Sequence, residues 1–401
     1  MVVAGMFAQR SPKWKWLTFA TIASVFLLLI FHNLSWLPAP HDVMQHGLGW
    51  ADDSRTLFED GNEETFLDEF YQPPNIMPWN YTAAMVMART KAADVSWVEK
   101  EKLDLDKYIY VADDPTAPLH PPMNKGNEAM IYLTYIIDHY DDLRDFTLFV
   151  HAHRYSGHNN AFLGGDAVKM LRNLNAERIM HDGYFNLRCQ QEPGCPSWVH
   201  PHEQGADKLA PIMLQEWNNL FPGEPVPEVL AQTCCAQFAV SRERIQTVPL
   251  SKYEHWRNWL LETDIADYYS GRIFEYLWQV LFTGESIFCP DQLVCFCDGF
   301  GVCFEGLENL EEYQKLGDQQ WKTRTRMDLL RKLKADHKDI EKDHLNKMDE
   351  WYKALQLEHD SYGKRRENIT AIANQRGQDP KVRAEAARYR TMAASSRMRW
   401  G

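Results

Sequence analysis

The densest group of chemically capable side chains lies in one stretch, Asp145 to Asn159, read DFTLFVHAHRYSGHN. Phe146, Leu148, Phe149 and Val150, with Thr147 among them, read as a buried strand, and His151, His153, Arg154, His158 and Asn159 follow it. Imidazoles two residues apart share one face of a strand. His151 and His153 could then hold a metal if a third ligand arrived, with His158, His181 and Asp182 as candidates. His200-Pro-His202 is a second such pair, on an expected loop. The plainer alternative has His151 and His153 hydrogen-bonding loop backbone. Arg154, at the carboxyl end of a strand, could grip a phosphate or carboxylate together with His153 and Asn159, or pair with one of the chain's many acids. Asp113-Asp114 follows another apolar run, YIYV, where a carboxylate can meet a ribose or a metal; followed by Pro115, it is also a turn signal. Glu275 stands inside RIFEYLWQVLF. If buried there it would have a raised pKa, suited to a base; if solvated or paired with arginine it would not.

These residues need elements to position them. Ala83 to Ala88 and Tyr108 to Val111 read as strands, and Asn127 to Tyr140 has apolar residues at helical spacing before the strand at Phe146. This alternation predicts an α/β fold, a mostly parallel sheet with flanking helices. Gly183 to Arg188 and Ala236 to Val240 are further strand candidates. Asp166–Leu174, Pro211–Leu220, Tyr253–Leu261 and Arg272–Phe282 read as helices. The α/β domain is expected over residues 79–305, a charged helical extension over 306–362 and a disordered basic tail over 363–401. No G-x-S-x-G, P-loop or G-x-G-x-x-G occurs, which removes several enzyme classes.

Composition narrows the setting. The chain has 401 residues, 45% of them hydrophobic, and a net charge of −13, which argues against nucleic acid as a partner. Residues 16–37 carry no Asp, Glu, Lys or Arg. Arg10, Lys13 and Lys15 precede them, in a tail over 1–15, and an acidic stem over 38–78 follows. This predicts a single membrane anchor with the remainder translocated into the Golgi or ER. A cleaved signal peptide ending near Leu37-Pro38-Ala39 is the alternative. In an oxidising lumen the eight cysteines are expected to form disulfides. Cys189 and Cys195 flank a short loop and are expected to pair locally. Cys289, Cys295, Cys297 and Cys303 are spaced for disulfides or for zinc. The adjacent Cys234 and Cys235 are not expected to pair with each other. Asn80-Tyr-Thr82 and Asn368-Ile-Thr370 are glycosylation sequons.

The blocks FTLFVHAHRYSGHN, GYFNLRCQQEPGCP, CCAQFAVSRERI and RIFEYLWQVLF, with MVMARTKAADVSWV and NEAMIYLTYIIDHYDDL before them, resemble a fungal family of unknown function, DUF3431, over roughly Met77 to Phe288. Members often have Trp where Gly157 stands here. A more distant resemblance is to GT-A type nucleotide-sugar glycosyltransferases, with QFAVSRERI similar to their acceptor-side strand and helix. That resemblance implies a nucleotide-sugar donor, a glycan or small-molecule acceptor, and a divalent metal, Mn²⁺ or Mg²⁺, held by Asp-x-Asp. Here His151-Ala-His153 stands in that place, so metal ligation would be altered or absent. On this reading Asp113 or Asp114 contacts the nucleotide, His153 and Arg154 stabilise the diphosphate, and Glu275 or Asp182 is the base. The other readings are a non-catalytic scaffold that engages a protein partner through the charged helix 308–358, and a metal-dependent hydrolase using His151 and His153.

Overall fold

The computed structural model describes residues 80–203, 208–336 and 342–388. The expected tail, anchor and stem lie outside them. Among the described residues no helix is long and apolar enough to cross a membrane.

The chain enters the fold with β1 (Ala83–Arg89), the short α1 (Ser96–Lys100), β2 (Asp106–Val111), α2 (Glu128–Asp138) and β3 (Phe146–His151). Then come α3 (Ala167–Asn173), α4 (Ala176–Asp182), β4 (Tyr184–Asn186), α5 (Leu209–Leu220), β5 (Ala231–Gln232), β6 (Phe238–Ser241), α6 (Arg242–Gln246) and α7 (Leu250–Glu262). After these follow α8 (Asp267–Glu275), α9 (Trp278–Thr283), β7 (Ile287–Phe288), α10 (Gln292–Phe300), α11 (Leu307–Asp336), α12 (Lys342–Gly377) and α13 (Pro380–Arg388).

The five-stranded sheet has the order β2-β1-β3-β6-β4. β1 is parallel to both β2 and β3, whereas β6 is antiparallel to β3 and β4, so β6 alone is reversed. The α/β reading with a mostly parallel sheet therefore holds. β2 and β3 lie on opposite sides of β1. The chain thus changes direction between β1 and β3, and the crevice at their carboxyl ends is where open α/β sheets bind ligands.

Both faces of the sheet are covered, as the apolar strands require. Ala84, Val86, Phe149, Phe238 and Val240 pack with Tyr132 and Ile136 of α2 and Trp278 and Phe282 of α9. Met85, Met87, Leu148, Val150 and Ala239 pack with Met170, Ile179 and Phe296 on the other face. Strand alternation places His151 on the face of Phe149, toward α2 and α9.

Four expectations change here. RIFEYLWQVLF is two helices, broken at Tyr276 and Leu277. The Glu275 carbonyl, which would continue the helix, accepts instead from Gln232 Nε2 at 2.7 Å. The Cys189–Cys195 pairing is replaced by Cys189–Cys295 and Cys195–Cys289, with Cys297–Cys303 closing a local loop. All four cysteines of the 289–303 segment are bonded, which leaves no thiolates for zinc. The first two bridges staple the 189–196 loop to the 289–303 segment, and Gly194 lets that loop cross β5: its φ is +125°, and a Cβ there would lie 1.9 Å from the Gln232 carbonyl oxygen. Cys234 and Cys235 do pair with each other, contrary to expectation.

The fourth change concerns the C-terminus. The region expected to be a disordered tail is helical through Arg388. Its Arg-, Ala- and Ser-rich composition conceals a packed face: Ala373 is buried and its carbonyl accepts from the Cys303 N–H at 2.9 Å, while the Arg376 Nε donates to the Cys303 carbonyl. The backbones of Gly377 and Gly301 meet so closely that a Cβ on Gly377 would lie 1.6 Å from the Gly301 oxygen. Backbone on both sides gives little room to yield. Gly377→Ala is expected to destabilise the protein by about 1–3 kcal/mol, the usual range for overpacking, measured as a lower denaturant midpoint.

Candidate active site

The reversed strand β6 brings its amino end to the carboxyl edge of β3. His151 ends β3, and its backbone N–H donates to Gln237 Oε1 at 3.1 Å. Its ring Nε2 lies 2.6 Å from the Cys235 carbonyl oxygen. A carbonyl only accepts, so Nε2 carries the proton. The Cys235 N–H donates to Glu275 Oε1 at 2.8 Å. A single residue thus holds a carboxylate with its N–H and an imidazole with its C=O. Glu128, in the first turn of α2, has Oε1 4.0 Å from His151 Nε2. The His158 ring stacks at a tilt on His151, centroids 5.0 Å apart. Arg188, two residues past β4, donates from Nη1 to the sulfurs of Cys234 and Cys235 and from Nη2 to the Glu192 carbonyl.

Burial dominates the electrostatics of this group. It raises the Glu275 pKa above the usual carboxylate range, and Glu128 adds to the effect; Arg272, the Cys235 N–H and His151 oppose it. Burial lowers the His158 pKa well below its ordinary value, reinforced by the charges of His151, Arg188 and His153, so the ring is neutral near pH 7. Burial also brings the Arg188 pKa down to about 10, against the pull of Glu275 and Glu192. The arrangement offers a proton acceptor (Glu275), a neutral imidazole (His158) and an oriented imidazole (His151) beside one desolvated cation.

The other predicted residues are occupied elsewhere. Arg154 pairs with Glu101 at 2.9 Å and with Asp166 at 3.2 Å, and its guanidinium lies over the Tyr155 ring. It is bound in an ion-pair network rather than presented to an anion. Asn159 is buried, donating to the Arg154 and Gly165 carbonyls and accepting from Gln237. It closes the loop after β3. His153 is exposed, beyond the end of β3, so the strand alternation that would aim it with His151 does not apply. Among the described residues no three His, Cys, Asp or Glu are grouped to hold a metal ion, and the donor set does not fit the implied Mn²⁺ or Mg²⁺ site. Asp182 precedes β4 and therefore lies at the opposite, amino edge of the sheet. There it is bound by Arg178 and His181, in a network that includes Asp298.

Asp113 and Asp114 do lie at the carboxyl edge. Asp113 Oδ1 accepts from the Lys91 N–H at 2.7 Å, and Asp114 accepts from Thr116 and pairs with Lys91 Nζ. Thr116 first, and Lys91 after it, hold the Asp114 pKa down to about 2. Both acids brace the loops after β1 and β2. Of the sequons, Asn80 and Asn368 are exposed, and the Thr370 hydroxyl donates to the Arg366 carbonyl within α12.

Glu128, Arg188 and the Cys234–Cys235 pair escape sequence reasoning, and His158 enters it only as a metal ligand. The signals are nevertheless present: Gly126-Asn127-Glu128 opens the helix after β2, Arg188 follows the strand YFN, and the cysteine pair precedes FAVS.

Glu275→Gln tests the burial of this carboxylate. A carboxyl with a raised folded-state pKa contributes its stability below the unfolded value and loses it as pH rises through the folded value. The amide keeps the acceptor for the Cys235 N–H without the charge. Glu275→Gln is expected to raise the thermal midpoint at about pH 7.5 and to leave it unchanged at about pH 3.5, where the carboxyl is protonated in both states. An equal effect at both pH values would rule out an electrostatic origin.

The model of the family described as "Protein of unknown function (DUF3431)" matches residues 85–298, which hold the sheet from Met85 of β1 onward and the group around His151 and Glu275. No curated protein and no solved structure matches the chain. With more than half of its length matched, the chain belongs to the DUF3431 family.

Proposed function

We propose that the carboxyl edge of the sheet is the active site of a glycosyltransferase-like enzyme acting on a nucleotide sugar. The observation that carries this reading is the pairing of Glu275 with His151 through Cys235, at the crevice where the strand order reverses. Glu275, poised by burial, takes the proton of an acceptor hydroxyl. His151, with Nε2 directed at a carbonyl and Glu128 near, orients that acceptor. Asp113, exposed at the end of β2, offers a carboxylate to the nucleoside. Arg188 lends positive potential to the developing diphosphate. Because the donor set does not fit a divalent metal, no step is assigned to one.

Disulfides at all four cysteine pairs support an oxidising compartment, in keeping with a secretory location for this domain. The helices α11 and α12, outside the family's matched span, are the part of the chain we assign to partner contact.

Full-length protein mixed with a panel of nucleotide sugars, with and without Mn²⁺, is expected to bind one donor and to be thermally stabilised by it. Glu275→Gln is expected to retain that binding and lose transfer or donor hydrolysis by on the order of 10²-fold or more, as removal of a general base does. No stabilisation by any donor would sink the reading.

A further inference from the structure

We propose that the Cys234–Cys235 disulfide is a positioning element of this site, holding the backbone of Cys235 so that its N–H meets Glu275 and its C=O meets His151. The inference rests on the reading of this edge as the active site, but its geometry stands apart from any substrate.

Three observations carry it. Cys235 and Ala236 both have positive φ, +89° and +46°, where residues with a Cβ are uncommon and where glycine would ordinarily be used. Such outliers persist only where the surroundings over-determine them. The bridge between adjacent side chains closes a small ring around this backbone and supplies that determination. Second, the turn gives nothing to the sheet: β6 begins at Phe238, and the Cys235 N–H and C=O point instead at two titratable side chains. Third, the bridge is held in place. Cys234 and Cys235 are 0% and 2% exposed, and Arg188 donates to both sulfurs. The other three bridges join or close loops around residues 189–303; this one links no two separate parts of the fold. A bridge with so little chain to close stabilises the unfolded-to-folded balance little, which leaves local orientation as its consequence.

The test reads orientation without needing activity. Full-length protein carrying ¹⁵N-labelled histidine and ¹³C-labelled glutamate is compared with Cys234→Ala/Cys235→Ala by NMR. In the native protein His151 is expected as the Nε2–H tautomer. In the variant that preference is expected to be lost. The Glu275 titration midpoint is expected to move upward, because the Cys235 N–H that opposes protonation no longer faces it. Glu128, Arg272, His151 and Arg188 are the charged groups around Glu275, and of these Arg188 also loses its two sulfur acceptors in the variant. Cys297→Ala/Cys303→Ala, which opens a bridge away from this edge, is expected to change neither signal.

If the first variant does not fold, the native protein gives the same readout during titration with a small dithiol. Two electrons and two protons pass from the dithiol to the pair, leaving two cysteine thiols and the reagent's own disulfide. Alkylation and mass spectrometry report which bridges are open. An unchanged His151 tautomer and Glu275 midpoint, once Cys234 and Cys235 are separated, overturns the proposal. Changed signals in a protein that binds no nucleotide sugar would leave the positioning role standing and remove the glycosyl-transfer reading instead.

Discussion

The antiparallel pairing of β6 with β3 is the interaction on which the rest of this site depends. Phe146 lies opposite Ser241 and Phe149 opposite Phe238, so the residues just before Phe238 must emerge beside the residues just after Val150. Had β6 run parallel, Cys235 would lie at the amino edge, with Asp182, and His151 would face only loops. One reversed strand in an otherwise parallel sheet therefore delivers a turn of backbone into the crevice that the parallel strands create. The pairing is well supported. The Phe149 and Phe238 rings meet at a tilt with centroids 4.9 Å apart, and Tyr132 and Trp278 close over them from α2 and α9. The same two elements bring Glu128 and, by way of the break before Trp278, Glu275.

That register also decides which polar residues are available for chemistry. The loop after β3 must return to α3, and it does so by committing Arg154 to Glu101 and Asp166 and Asn159 to two carbonyls. Gln237 ties it to β6 by donating to the His158 carbonyl and to Asn159. The most conspicuous part of HAHRYSGHN is thus scaffold, and only two of its imidazoles, His151 and His158, belong to the candidate site. The loop's own bonding fixes where His158 stands.

The parallel strands, their buried faces and α2 are legible in the sequence because strand alternation and helical spacing are local patterns. The edge proposed as the site is legible for the same reason: β3 ends in His151, and a run of polar side chains directly after a buried strand marks the point where the chain leaves the core. What is not legible depends on partners distant in sequence. Arg154 looks identical in the sequence whether it meets a phosphate or Glu101, and Asp182 reveals its edge only once β4 is known to run parallel to β3. Cys189 and Cys195 look like a local pair because their separation is short, yet residues about a hundred positions away take both. Glu275 stands out as an acid in an apolar segment, but nothing in that segment marks the break that follows it.

The electrostatics bind these points together. Glu275 is pushed up, His158 down and Arg188 down, and in each the largest cause is burial rather than a neighbouring charge. Asp114 shows the opposite balance, its charge favoured by the close partners Thr116 and Lys91. Burial moves each of these three groups toward losing its charge, which for Glu275 and His158 suits proton movement, while Arg188 at about 10 stays cationic near neutral pH. Such a group is useful only if its members are held in fixed orientation, since a desolvated carboxylate free to turn would swing to water. The Cys235 backbone provides that restraint to Glu275 and His151 at once. The strained turn, the adjacent cysteines and the raised carboxyl pKa are therefore parts of a single arrangement, with the positive φ values at Cys235 and Ala236 as its conformational cost.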